Sequence, residues 1–367
     1  MERWCIGGLP LPGHKWISLG WRHPSQAGTI SVAANLVDGL LRDVDVRSGY
    51  GHRGAEKLFE VRDYRSLIML ADRHDWLAAF SGELCVSLAV ESAMRLPVPP
   101  RATYLRTTLA EFARLHSHLC FLGYLAEGKL ADSVWATVEG LRDALRAWTG
   151  NRIHPMINRV GGLSADMSED WPLVIRPLLD QTEHLSTALR SALDEASERL
   201  LGLASLPAAT CLSYGLSGPV SRATGLDLDR RHSGYLAYGE VFQPVAPRIG
   251  ADAHDRLAIL IDELQASATM IRHLLELVAT TPGEVSVRLA RRLKVPEGEH
   301  EVEVEAPWGI AGCLLVSRGG NTPWRLALRT PSFANLSALG VALEGVPESR
   351  IADAVAGIGY SIGDADK

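Results

Sequence analysis

The sequence predicts a mainly α-helical fold, a bundle of long helices flanked by β-containing segments at both ends of the chain. Three apolar stripes and one change of period carry that prediction. Leu105, Leu109, Phe112, Leu115 and Leu119 recur at steps of three and four. Leu178, Thr182, Leu185, Leu189, Leu193, Ala196 and Leu200 repeat the pattern, and so do Leu257, Ile261, Leu264, Ala268, Ile271, Leu275 and Val278. Stripes of that length mean helices packed side by side. After them the period drops to two, where Val302 and Val304 alternate with Glu301, Glu303 and Glu305.

In chain order, residues 1–28 are rich in Gly and Pro and read as loop. Thr29 to Val46 reads as strand, with Ile30 and Val32 alternating with Thr29 and Ser31 and a turn at Asn35–Gly39. A second turn covers Gly49–Gly54, and Ala55 begins a helix. From about Tyr64 the chain turns helical, broken at Pro97, Pro99 and Pro100, where the ring removes a donor and clashes with the preceding turn. Leu314-Leu315-Val316 and Leu326-Ala327-Leu328 read as strands joined by a turn at Gly319-Gly320-Asn321. The expected segments are 1–60 (N-terminal loop and β segment), 61–290 (helical bundle) and 291–367 (C-terminal β-containing segment).

The bulk properties exclude several function classes. The 367 residues are 47% hydrophobic and 22% charged, the balance of a globular protein. A net charge of −6 argues against nonspecific nucleic-acid binding. Met1–Ile17 holds two cations but also three Gly and two Pro in place of an apolar core, so a signal peptide is not expected. No run of about 18 apolar residues predicts a membrane span. The five cysteines, Cys5, Cys85, Cys120, Cys211 and Cys313, stand singly with no CxxC pair, and read as buried small hydrophobes. Gly49, Gly51 and Gly54 match the letters GxGxxG, but no continuous buried strand precedes them and no βαβ repeat follows, so NAD binding by this chain is not expected.

Four motifs stand in register over the chain. They are Gly49–Lys57, then Asp72-Arg73-His74-Asp75-Trp76, then Asn151-Arg152-Ile153-His154 with Arg159–Gly162, and finally Arg329–Leu336. In this order and spacing the chain resembles the D-type subunit of the NADH:quinone oxidoreductases (respiratory complex I), a relative of the nickel–iron hydrogenase large subunit. The likeness runs from about Gly20 to Lys367. It implies a long-helix bundle of the hydrogenase large-subunit type. It also implies partners: an Fe–S protein of the B type holding the last [4Fe–4S] cluster, a C-type protein, and membrane-arm subunits that would keep the chain peripheral on the cytoplasmic side of the cell membrane. The hydrogenase metal site needs thiolates from two CxxC pairs, which are missing, so no cofactor or metal is expected on this chain itself.

The resemblance further implies a quinone or acceptor cavity between this chain and the Fe–S partner. Quinone takes two electrons and two protons, so proton donors must lie within hydrogen-bond reach of its carbonyls. The family's His–Pro–x–x–His–Gly loop reads His23-Pro24-Ser25-Gln26-Ala27-Gly28, with Ala27 where the quinone-facing histidine belongs. The tyrosine that follows Asp–Arg–x–Asp is Trp76, whose indole is a donor only. The helix end His118–Gly123 is kept, but the loop after it is several residues short, so Glu127 or Gly128 falls at the carboxylate position. Arg73 and His154 match the residues that flank the partner's cluster. A fixed positive charge there favours the reduced cluster, and a titratable histidine couples electron arrival to proton uptake. The plain alternative is that Arg73 pairs with Asp72 or Asp75 and that His154 caps a helix. The expected site is therefore Arg73 and His154 as the catalytic pair, with His23, His52, Trp76 and Glu127 lining the cavity. The competing reading is a scaffold or coupling subunit whose acceptor site has decayed.

Overall fold

The structure, a computed structural model, describes residues 2–6, 12–20, 23–24 and 30–367. The three predicted stripes lie on helices Pro100–Leu122, Trp171–Glu195 with Ser197–Leu200, and Ala253–Thr280. Pro100 opens the first of these at the N-terminal position a helix tolerates, where its missing N–H has no partner to lose. Pro100–Leu122 and Ala253–Thr280 pack along each other, and Ala253–Thr280 and Gly128–Thr149 both pack on Trp171–Glu195. Helix Ala79–Met94 lies between this bundle and the C-terminal sheet, and is buried on nearly every side.

The N-terminal sheet has four strands in the order Lys15–Ile17, Glu2–Ile6, Ser31–Val37, Leu40–Arg47. Its first pair is parallel and the other two are antiparallel. The C-terminal sheet is an antiparallel meander of Gly298–Ala306, Gly309–Ser317 and Arg325–Arg329, followed by the short helices Pro331–Ser337, Leu339–Leu343, Ile351–Ala356 and Ile362–Ala365.

Three expectations change in detail. The N-terminal stretch read as loop contains two strands, Glu2–Ile6 paired to Ser31–Val37 and Lys15–Ile17 paired to Glu2–Ile6, rather than held by an apolar pattern of their own. Asn35–Val37 continue their strand, and the turn is the tight pair Asp38-Gly39, both at positive φ. Helix Gly128–Thr149 is additional; its buried face is Val134, Val138, Leu141, Leu145 and Trp148. One contiguous apolar core runs from Leu19 to Ala365. Among the described residues no helix is long and apolar enough to cross a membrane.

Candidate functional site

Three of the motifs meet each other and the C-terminus at one edge of the bundle, although more than 300 residues separate the first from the last. Asp366 makes the join. Its two carboxylate oxygens accept the backbone N–H groups of Gly49 at 2.6 Å and Gly51 at 2.7 Å. A Cβ at Gly51 would stand 3.0 Å from that carboxylate, so glycine is what lets the loop close on it. The amides that a GxGxxG loop would offer to a phosphate are thus taken by the chain's own carboxylate. The His52 ring donates from Nδ1 to the Lys367 carbonyl. Lys367 in turn reaches Glu56 at 3.2 Å.

Arg53 donates to the Arg73 carbonyl at 3.2 Å, tying the glycine loop to the next motif. The Arg73 guanidinium is largely exposed; it touches Met156 Sδ at 3.3 Å and lies 3.9 Å from Asp72 Oδ1. His154 donates from Nδ1 to the same Asp72 oxygen at 2.8 Å. Fully buried Asp72 therefore stands between the two residues expected to face a redox partner, and its other oxygen, Oδ2, has no donor among the described residues. His154 caps no helix; its backbone N–H bonds Asn151 Oδ1, and its ring is committed to Asp72. The plain alternative for Arg73, pairing with Asp72, holds only as a loose contact.

The loop that carries His154 is held by a polar stripe. Glu83, Ser87 and Glu91 recur every four residues on helix Ala79–Met94 and so share one face of it. Glu83 accepts the N–H groups of Met156 at 2.7 Å and Asn158 at 2.9 Å. Ser87 accepts from the Asn158 side chain, while Glu91 accepts the Gly161 N–H and pairs with Arg106 at 2.6 Å. Burial, then the Asp72 charge, pushes Glu83 up to about 8 against the opposing pull of its two N–H partners and Arg159. Sequence reasoning missed Glu83. Its signal was available: acids and a serine at a spacing of four inside a helix that is otherwise mostly apolar.

Trp76 is half-buried and packs on the C-terminal segment. A Cβ at Gly363 would come within 2.2 Å of its ring. Beneath it Asp75 and Asp364 are both buried and both raised, Asp364 up to about 7 through burial and the neighbouring Asp75 charge. At Leu77 and Ile153, the chain neighbours of Trp76 and His154, a narrow, mainly apolar cleft is also lined by Phe112, His116 and Arg142 among others. His116 donates to the Leu77 carbonyl at 2.9 Å and accepts from Arg142 at 3.1 Å. Only the neutral ring satisfies both bonds, and burial brings its pKa down to about 4. His116 and Arg142 had no distinguishing mark in the sequence.

His23 and Glu127 belong to another neighbourhood. His23 is buried against Tyr124, ring centroids 5.4 Å apart, with Nε2 at 3.0 Å from the Ala352 carbonyl. Burial lowers it to about 4, so it is neutral at pH 7. Tyr124 donates to Asp353, which also pairs with Arg199. Glu127 is exposed at the start of helix Gly128–Thr149, beside Arg199 in an open surface cleft. Ala27 and Gly28 lie outside the described residues.

The family model for the respiratory-chain NADH dehydrogenase 49 Kd subunit matches residues 133–292 and 287–367. An NADH-quinone oxidoreductase D-type subunit from Salinispora tropica, the second of that name there, is 42% identical over 98% of this chain and 95% of its own length. The first D-type subunit of Streptomyces coelicolor is 39% identical over 99% and 97%. A relative from Cereibacter sphaeroides whose name joins the C and D types is 32% identical over 96% of this chain but 66% of its own length. The chain belongs to the 49 Kd subunit family of the respiratory-chain NADH dehydrogenases, the D-type oxidoreductase subunits of complex I, whose fold is of the hydrogenase large-subunit type.

Proposed function

We propose that this chain works as the D-type subunit of a complex I-type NADH:quinone oxidoreductase, shaping an acceptor cavity beside the terminal [4Fe–4S] cluster of a B-type Fe–S partner. The observation that carries the reading is the Arg73–Asp72–His154 constellation: an exposed guanidinium and a part-buried imidazole share one buried carboxylate at the edge where the motifs meet. The guanidinium supplies a fixed positive charge to a neighbouring cluster, and the imidazole can exchange a proton as that cluster changes charge. The cluster resides in the partner, since this chain offers no CxxC pair. The relative that joins the C and D types in its name supports a C-type neighbour. Association with membrane-arm subunits keeps the chain peripheral, on the cytoplasmic side.

Quinone is the acceptor, held without the usual histidine–tyrosine pair because Ala27 and Trp76 stand at those positions. The apolar cleft between Leu77 and Ile153 offers greasy walls, and a quinone entering it must widen it, because it is narrow as it stands. The scaffold reading draws on a different observation, the packing of Trp76 on Gly363, which fills space an acceptor would need. Redox titration of the cluster in the assembled complex decides between them. Arg73→Ala removes a positive charge, so it should lower the cluster potential and slow quinone-coupled turnover. An unchanged potential and unchanged turnover would leave the scaffold as the better account.

A further inference from the structure

The motif Arg159-Val160-Gly161-Gly162 meets a stretch far along the chain, residues 285–287. Val287 donates its N–H to the Gly161 carbonyl at 2.9 Å, and Leu163 donates to the Val285 carbonyl at 2.8 Å. The two stretches run so close that a Cβ at Gly162 would stand 2.0 Å from the Val285 carbonyl oxygen, and one at Gly161 would stand 2.4 Å from the Val287 side chain. The chain that follows is basic: Arg288, Arg291, Arg292 and Lys294 are all exposed. Arg65 fastens it from another side, donating to the Leu289 carbonyl at 3.3 Å and the Ala290 carbonyl at 2.5 Å. The result is a cleft lined by Arg65, Arg159, Ser164 and Ser286, with apolar walls at Val160 and Val287.

We infer that this cleft and its basic rim dock an acidic segment of a neighbouring subunit, whose carboxylates bind Arg65 and Arg159. The inference goes beyond the acceptor-site reading and needs neither quinone nor cluster. None of the six cations forms an ion pair among the described residues. Part-exposed arginines elsewhere, Arg190, Arg248 and Arg272, hold acids of their own chain. The acids nearest in sequence do not serve the patch. Asp63 accepts the N–H groups of Arg65 and Ser66 and the Ser66 hydroxyl, and Glu284 and Glu297 pair with no cation among the described residues. Six like charges gathered on a chain of net charge −6 repel one another and favour an anionic partner. Arg65 and Arg159 each commit one terminal nitrogen to backbone carbonyls. The rest of each planar fork has no partner among the described residues, and such a fork takes a carboxylate in two parallel bonds. A cleft with apolar walls between its cations suits an extended peptide, acids alternating with apolar side chains, better than the flat plane of a lipid surface.

The test uses the assembled complex and a water-soluble carbodiimide, which joins a lysine amine to a carboxylate only where the two touch. Mass spectrometry of the digested product should show Lys294 joined to an Asp or Glu of another subunit. The amine of an Arg288→Lys variant, placed between the cleft-lining Val287 and Leu289, should be joined likewise. Arg288 and Arg291 make no side-chain bond to the rest of the chain among the described residues, so Arg288→Glu with Arg291→Glu should fold as wild type does. The inter-subunit product at Lys294 should nevertheless fall about tenfold, the scale of two exposed ion pairs turned repulsive. Reversing the captured carboxylate to Lys should then restore retention of that subunit. Products confined to acids of this chain, from both amines, overturn the proposal, and so does an unchanged yield in the double reversal. Phosphatidylglycerol vesicles and inorganic phosphate are the competing probes on the full chain. Binding of either that the double reversal abolishes, with no inter-subunit product formed, assigns the patch to that anion and overturns the acidic segment. Redox titration of the cluster is independent of every one of these outcomes, so this proposal and the acceptor-site reading fail separately.

Discussion

Two of the buried groups of charges among the described residues are built differently. In the centre of the bundle, Arg114, Arg222 and Arg231 face Glu111, Asp229, Glu263 and Glu305, all fully or nearly fully buried. Glu263 alone receives Arg222, Arg231 at 3.2 Å and the His118 ring at 2.6 Å. Burial pushes these acids up, but the guanidiniums win: Glu263 falls well below the usual range, Glu111 falls, and Asp229 drops to about 2. Three cations cannot neutralise four acids, and Glu305 is the one whose pKa rises. At the motif edge the count is the same, but the cations lie outside the buried acids. Glu83, Asp72, Asp75 and Asp364 are buried, the cations near them among the described residues, Arg73, Arg159 and Lys367, are peripheral, and the pKa values of Glu83, Asp75 and Asp364 rise. Matched charge fixes a shape; unmatched charge binds a proton that can move. The second kind is what a redox surface needs.

The comparison breaks most sharply under substitution. Arg222→Met should destabilise the fold by about 3–5 kcal/mol, the usual cost of leaving buried ionised partners uncompensated, because Glu263 and Glu305 lose their short contacts to it. Glu83→Gln removes no cation, but its amide nitrogen cannot accept one of the two backbone N–H groups that Glu83 holds, so it should cost about 1–3 kcal/mol. Urea unfolding of both variants checks this, and equal losses would erase the distinction between the two regions.

A smaller effect separates the regions by sign. Glu83 and Asp364 have folded pKa values above their unfolded ones, near 8 and 7 against 4.5 and 3.8. Between those limits the folded state binds protons that the unfolded state does not, so stability falls as pH rises. Each group alone contributes at most about 1.4 kcal/mol per pH unit. Glu263 and Asp229 have lowered values, so their contribution is present above the unfolded pKa and is lost as pH falls below about 4. Thermal unfolding against pH should therefore decline on both sides of the weakly acidic range, and Glu83→Gln should flatten the alkaline side only. A decline in Glu83→Gln as steep as in wild type, from about pH 5 to 8, would assign the alkaline slope to other groups.

Much of the fold was legible because it is written in local periodicity. The stripes from Leu105, Leu178 and Leu257 mark helices that bury them, and even Gly128–Thr149 carries Val134, Val138, Leu141 and Leu145 at steps of four, three and four. Strands Glu2–Ile6 and Lys15–Ile17 were not legible, because partners elsewhere in the chain define them. The site was legible only as separate motifs. Spacing along the chain does not say that Asp366 would bind Gly49 and Gly51, or that Asp72 would hold His154. The central charge lattice was hidden as well: Arg222, Arg231 and Glu305 look like surface residues until the bundle closes over them.

The finest division runs through the motif edge itself, at Trp76. Its ring lies on Gly363, and the C-terminal segment that follows is latched by Asp366 to the glycine loop. If Trp76 serves as a filler, Trp76→Tyr should shrink a half-buried side chain and cost about 1 kcal/mol, with quinone-coupled turnover unaltered. If the edge is a working acceptor site, the phenol adds a hydroxyl that can donate and accept where indole could only donate, near a cleft lined by Leu77 and Ile153. Turnover should then be kept or raised, and its pH profile should change, because a second proton donor has joined the site. The stability change is the same in both cases, so the profile makes the distinction. A Trp76→Tyr complex that assembles, unfolds as expected and shows no quinone-dependent change at any pH assigns the aromatic to packing, and leaves Arg73 and His154 to carry whatever chemistry this edge performs.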